Sequence, residues 1–161
     1  MVADVSIRLA LVVTRDLAPG RAWGYLVSHL LGQGHLVVAS KQRLDAFRSP
    51  IEEPRLEIFP PDITSDDYLN IPIAPIAHEK LDSFVNRSEY PFVHAVLLTM
   101  LSRRDFSGTF RTIDREVVIR RLLLGLFSQI LRANPTHMVF EETPHEVADF
   151  ALFEISRFMG I

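Results

Sequence analysis

The chain predicts an α/β fold, a Rossmann-like doubly wound and mostly parallel sheet of about four strands in the order 3-2-1-4, with helices on both faces. Three observations lead there. Short apolar runs have the nearly unbroken hydrophobicity of strands buried on both faces. Segments with helical periodicity separate them. The right-handed crossover rule then makes the first and fourth strands neighbours, at the point where the strand order reverses.

The first strand is "IRLALVV", Ile7 to Val13. A turn through Pro19 and Gly20 leads to a helix in which Trp23, Leu26, Val27, Leu30 and Leu31 recur at helical spacing, stopped by Gly32 and Gly34. "HLVVAS" (His35 to Ser40) is the second strand, "KQRLDAFRSP" a short helix ended by Pro50, and "RLEIFP" (Arg55 to Pro60) the third strand. Residues 60–91 carry Pro60, Pro61, Pro72, Pro75 and Pro91, which predicts an irregular proline-rich insertion holding one helix. "PFVHAVLLTMLSRR" reads as a helix with Pro91 in its first turn. The next helix runs from Ile113 to Ala133, with Thr112 as cap, Asp114 and Glu116 at its positive end, and Asn134-Pro135 as terminator. Its apolar face is read as Val117, Leu124, Phe127, Ile130 and Leu131. "THMVFEE" is the fourth strand. In the last helix Thr143 and Glu146 match a capping box, Pro144 the first helical position and Gly160 the stop, with Val147, Phe150, Ala151, Ile155 and Phe158 facing inward.

Composition bounds the partners. The 161 residues, 48% hydrophobic and 23% charged, suffice for one domain with a sizeable core. A net charge of −3 lacks the basic excess of a nucleic-acid binder, so no nucleic-acid partner is expected. The lack of cysteine excludes a disulfide framework and a thiolate zinc site and suits a reducing cytoplasm. The start Met1-Val2-Ala3-Asp4 does not resemble a signal peptide, and no apolar run reaches the roughly 18 residues of a bilayer span. A cytoplasmic protein is expected, with peripheral contact to the inner membrane allowed.

The predicted site lies where the first and fourth strands end. His145, in the first turn of the last helix, would be held neutral by the helix's positive end and so act as a base or hydrogen-bond donor; the competing reading is an ordinary surface histidine. Glu141 and Glu142 straddle the strand end, one towards the crevice and one away. Arg15 and Asp16 sit at the matching end of the first strand, where the arginine would clamp a phosphate or carboxylate or pair with a glutamate. Neither G-x-G-x-x-G nor G-x-x-x-x-G-K-[ST] occurs, which disfavours a dinucleotide dehydrogenase and a P-loop nucleotidase, and no cofactor is expected. The six histidines lie at no metal-ligand spacing, and Ser65-Asp66-Asp67 is better read as a solvated turn than as a metal motif, so no metal is expected either. Arg103, Arg104, Arg111, Arg115, Arg120 and Arg121 outnumber the nearby acids, either as a solvated helix face or as a surface for a diphosphate or anionic lipid head groups.

The strand "IRLALVV", the helix ending in "LLGQGHLVVAS" and above all "NPTHMVFEETPHEVADFALFEISRFMGI" resemble the N-terminal region of bacterial capsular-polysaccharide and related glycosyltransferase-like proteins. There a strand ending in a proline-histidine pair leads into a helix that finishes at Gly-Ile. The resemblance implies a GT-B-like architecture, whose N-terminal domain receives a sugar or glycan acceptor and whose second domain binds a nucleotide sugar. It implies that His145 or Glu142 deprotonates the acceptor hydroxyl, with Arg15 near phosphate. The 161 residues would then be the N-terminal half of a longer two-domain protein. The alternative is a non-catalytic binding or scaffolding module whose arginine-bearing helices meet a partner protein.

Overall fold

A computed structural model describes residues 9–12, 29, 37–40, 56–59, 71–140, 143–144 and 146–161. Four helices dominate these residues: α1 (Pro75–Val85), α2 (Tyr90–Arg104), α3 (Thr112–Ala133) and α4 (Val147–Met159). The strands β1 (Leu9–Val12), β2 (Val37–Ser40), β3 (Leu56–Phe59) and β4 (His137–Phe140) are four residues each. β1 pairs in parallel with β4 and β2 in parallel with β3. β1 and β2 also approach one another, but no ladder joins them among the described residues. The chain gathers into two compact units, one of residues 1–61, 133–143 and 161, the other of residues 62–132 and 144–160.

This corrects the expected fold class. The described chain is mainly helical, and its strands form two short two-stranded ladders rather than one Rossmann-like sheet ordered 3-2-1-4 with helices on both faces. The expectation failed because an apolar helical face does not say what it will pack against. Here α1, α3 and α4 turn their aromatic residues towards each other. Phe84 meets Phe127 at 5.7 Å and Phe158 at 5.4 Å, and Phe127 meets Phe158 at 6.0 Å, all edge to face. Tyr90 of α2 joins at 5.6 Å from Phe84. The helices of the second unit thus share a core of their own. The helices expected near residues 21–34 and 41–49 lie outside the described residues, except that His29 is helical and exposed.

α3 is the centre of this core. Residues 122–130 of "LLLGLFSQI" are buried without a break, which a helix shows only when neighbours surround it. Its buried Ser128 is satisfied twice: the hydroxyl donates to the carbonyl of Leu124 and accepts the amide N–H of Ala74. The second bond fixes the entry to α1, which starts at once with Pro75. The proline-rich stretch holds an eleven-residue helix, while its residues 60–70 lie outside the described part.

Two helix starts differ from expectation. Arg111, not Thr112, caps α3: its carbonyl receives the amides of Asp114 and Arg115, and the Asp114 carboxylate reaches back to its N–H at 2.9 Å. The capping box at Thr143 and Glu146 does not form. Glu146 is itself the extended residue before α4, and its carboxylate pairs with Arg104 of α2. A tertiary ion pair has taken the side chain that a local cap would have used. The helix ends follow the sequence: Asn134 at a φ of 45° closes α3 before Pro135, and Gly160 at a φ of 73° closes α4.

Removing the ring at the centre of the cluster leaves a cavity that fixed helices cannot fill. Phe127→Ala should cost about 3–5 kcal/mol of stability in chemical denaturation. A loss below about 1 kcal/mol would show that the helices collapse onto the space.

Candidate functional site

The predicted site residues Arg15, Asp16, Glu141, Glu142 and His145 all lie outside the described residues. The backbone that leads to them is described: β1 and β4 run in register, Leu9 beside His137 and Val12 beside Phe140, so residues 13–16 and 141–142 follow adjacent strand ends.

A different constellation appears in the helical unit. An open groove of about 300 Å³ lies between α1, the start of α2 and the first turns of α3. Leu81, Val85, Ile113 and Val117 give it apolar walls, and Tyr90, Glu116 and Arg120 a polar edge. The His94 ring, tilted over Tyr90 at 5.6 Å, sets Nε2 at 2.7 Å from a carboxylate oxygen of Glu116 and so ties α2 to α3. Burial pushes the Tyr90 phenol above its ordinary range, the Glu116 carboxylate adds to this, and Arg120 offsets part of it. Tyr90 is therefore a neutral O–H donor at physiological pH. Arg120 makes no hydrogen bond or ion pair with a described residue. The groove can thus seat an apolar body and offer a cation to an acidic group beside it.

Sequence reasoning placed Val117 on the buried face of its helix, yet it is 63% exposed, and Ile113 one turn earlier is 59% exposed. The helical period was right. α3 is covered from its middle onward, and its first turns project beyond that cover, so the same stripe passes from core to surface. His94 and Glu116 are 22 residues apart on different helices, and no spacing signal links them.

The loop from α2 to α3 is built around one carboxylate. Asp105 accepts the amide N–H groups of Thr109 at 3.1 Å and Phe110 at 3.0 Å, the Ser107 hydroxyl at 3.2 Å and the Arg115 guanidinium at 2.9 Å. Gly108 supplies the turn at a φ of 63°, a conformation most side chains disfavour. Burial alone would raise the Asp105 pKa, but the bonds from Phe110, Arg115, Thr109 and Ser107 outweigh it and hold the carboxyl below its ordinary value. The arginine excess is accordingly not a plain solvated face: Arg104 holds Glu146, Arg111 holds Asp114, Arg115 holds Asp105 and Arg121 holds the carbonyl of Ile71. Among the described residues no cluster of three His, Asp or Glu side chains could hold a metal ion, and no helix is long and apolar enough to cross a membrane.

A depressed carboxylate pKa adds stability above the pKa of the unfolded chain, and that stability is lost as pH falls through the lower folded value. The 105–111 loop should therefore loosen in acid, below the ordinary aspartate range. The Thr109 and Phe110 amides should lose protection from hydrogen exchange there, relative to the intrinsic rate at each pH, and Asp105→Asn should show the lower protection already at neutral pH. Protection that ignores both changes would remove Asp105 as the organiser.

No known protein family, curated protein or solved structure matches this chain.

Proposed function

We propose that this chain is a non-catalytic helical binding module, which seats an apolar, acid-bearing segment of a partner protein in the groove between α1, α2 and α3. The observation that carries this reading is the exposure of Ile113 and Val117 one helical turn apart, beside the apolar walls of Leu81 and Val85. A contiguous apolar strip with a polar edge is the usual form of a helix-in-groove site. Arg120 supplies the charge preference, because Glu116 is already engaged by His94 while Arg120 has no described partner. The cysteine-free composition suits a cytoplasmic location.

A display library of helical peptides selected on the wild-type protein tests it. Enriched sequences should repeat apolar residues at helical spacing and carry an acid in the flank. Val117→Asp should weaken the selected peptides at least about tenfold, and Arg120→Glu should shift selection towards basic flanks. Peptides that bind Val117→Asp as well as wild type would end this reading.

A second reading, the acceptor-side domain of a glycosyltransferase-like protein of surface-polysaccharide synthesis, is favoured by one observation. The parallel pairing of β1 with β4 brings together the strand ends that precede Arg15, Asp16, Glu141 and Glu142. C-terminal ends of parallel strands commonly border ligands. Titrating nucleotide sugars and glycan fragments into wild type, Glu142→Gln and His145→Ala should then show binding that each substitution weakens. Equal binding by all three would leave the binding module alone.

A further inference from the structure

The loop between α2 and α3 presents large apolar side chains to water on a scaffold made of hydrogen bonds. Phe106 is 95% exposed and Phe110 55% exposed. An exposed phenylalanine on a slack loop can fold back onto the surface, but this loop is pinned at its centre. Asp105 holds the backbone amides of Thr109 and Phe110, the amide of Gly108 donates to the Asp105 carbonyl, and the Ser107 and Thr109 hydroxyls bond each other at 2.9 Å. Both aromatic rings are therefore presented, one on each side of Gly108, and the amides of Gly108, Thr109 and Phe110 are already bonded within the turn. That second property matters in an apolar medium, where an unpaired amide is costly.

The charges around the rings narrow the choice of partner. Residues 103–115 carry Arg103, Arg104, Arg111 and Arg115 against Asp105 and Asp114. Asp105 is spent inside the loop, its side chain only 4% exposed, whereas the Arg111 side chain is 79% exposed. Arg103 and Arg104 end α2 just before the rings, and Arg111 follows directly after Phe110. Arginine suits this position because its stem lies along apolar surface while the guanidinium stays in water and reaches phosphate. We propose that this loop docks on an anionic lipid bilayer: Phe106 and Phe110 insert at the head-group boundary, and Arg103 and the largely exposed Arg111, which also pairs with Asp114, bind lipid phosphate or carboxylate. Attachment is peripheral and reversible, since two rings bury too little apolar surface for permanent anchoring. It uses side chains other than those that line the groove.

Co-sedimentation of the whole chain with vesicles tests it, using pure phosphatidylcholine and an equimolar mixture of phosphatidylcholine and phosphatidylserine. The protein should sediment with the mixed vesicles, stay in solution with the neutral ones, and be released by high salt. Phe106→Ser should reduce binding at least about tenfold with helical circular dichroism unchanged, because the ring contributes nothing to the core. Arg103→Gln and Arg111→Gln should each reduce it about fivefold. A Phe106→Trp variant keeps the binding, and its fluorescence should shift to the blue on adding mixed vesicles beyond any shift of wild-type Trp23. Equal sedimentation with neutral vesicles, no sedimentation with either, or binding indifferent to Phe106→Ser would overturn the proposal. The last outcome would assign the rings to a protein partner.

Discussion

The edge-to-face packing of Phe84, Phe127 and Phe158 is the interaction on which the helical unit depends. Each ring comes from a different helix, so the cluster sets the mutual placement of α1, α3 and α4 at one point. Edge-to-face pairs add about 0.5–1.5 kcal/mol each beyond the area they bury. They also prefer particular approach angles, which liquid-like aliphatic contacts do not. Arg87 lies against Phe84 and Phe158 at 5.6 and 5.4 Å, covering the cluster where it nears the surface.

The outward features follow from that placement. Because the cluster gathers its neighbours around the second half of α3, the first turns of the helix project beyond them. Ile113, Glu116, Val117 and Arg120 lie on that projecting part, which is why an apolar stripe becomes a groove wall. The loop before it is separated from the core and must supply its own order. Asp105 does so with four hydrogen bonds, and the Asp114 carboxylate closes the start of α3 against Arg111. Apolar packing orders the centre, and carboxylates order the edge.

The ion pairs across this edge show how tertiary structure reassigns local chemistry. Glu146 had the spacing of a helix cap, but Arg104 brought a full positive charge within reach. A carboxylate gains more from a guanidinium than from one backbone amide, so α4 starts after Glu146 instead of after Thr143. At α3 the change is local instead: the Asp114 carboxylate, three residues on, bonds both the N–H and the guanidinium of Arg111, which becomes the residue before the helix.

By itself the sequence determined the features that depend on backbone chemistry or a local period. Pro91 marked the start of α2, Asn134-Pro135 and Gly160 the ends of α3 and α4, and the apolar runs the places of the four short strands. Those signals act over a few residues, through fixed proline φ angles, the left-handed conformations open to asparagine and glycine, and short, nearly unbroken apolar runs. Tertiary structure alone decided what each apolar face would meet. It made a helical core where a doubly wound sheet was expected, left Val117 in water, and joined His94 to Glu116 across 22 residues of chain. The physical reason is that the hydrophobic effect has no direction: a stripe of apolar residues demands cover, and only the arrangement of every other element in space determines which part of it is covered.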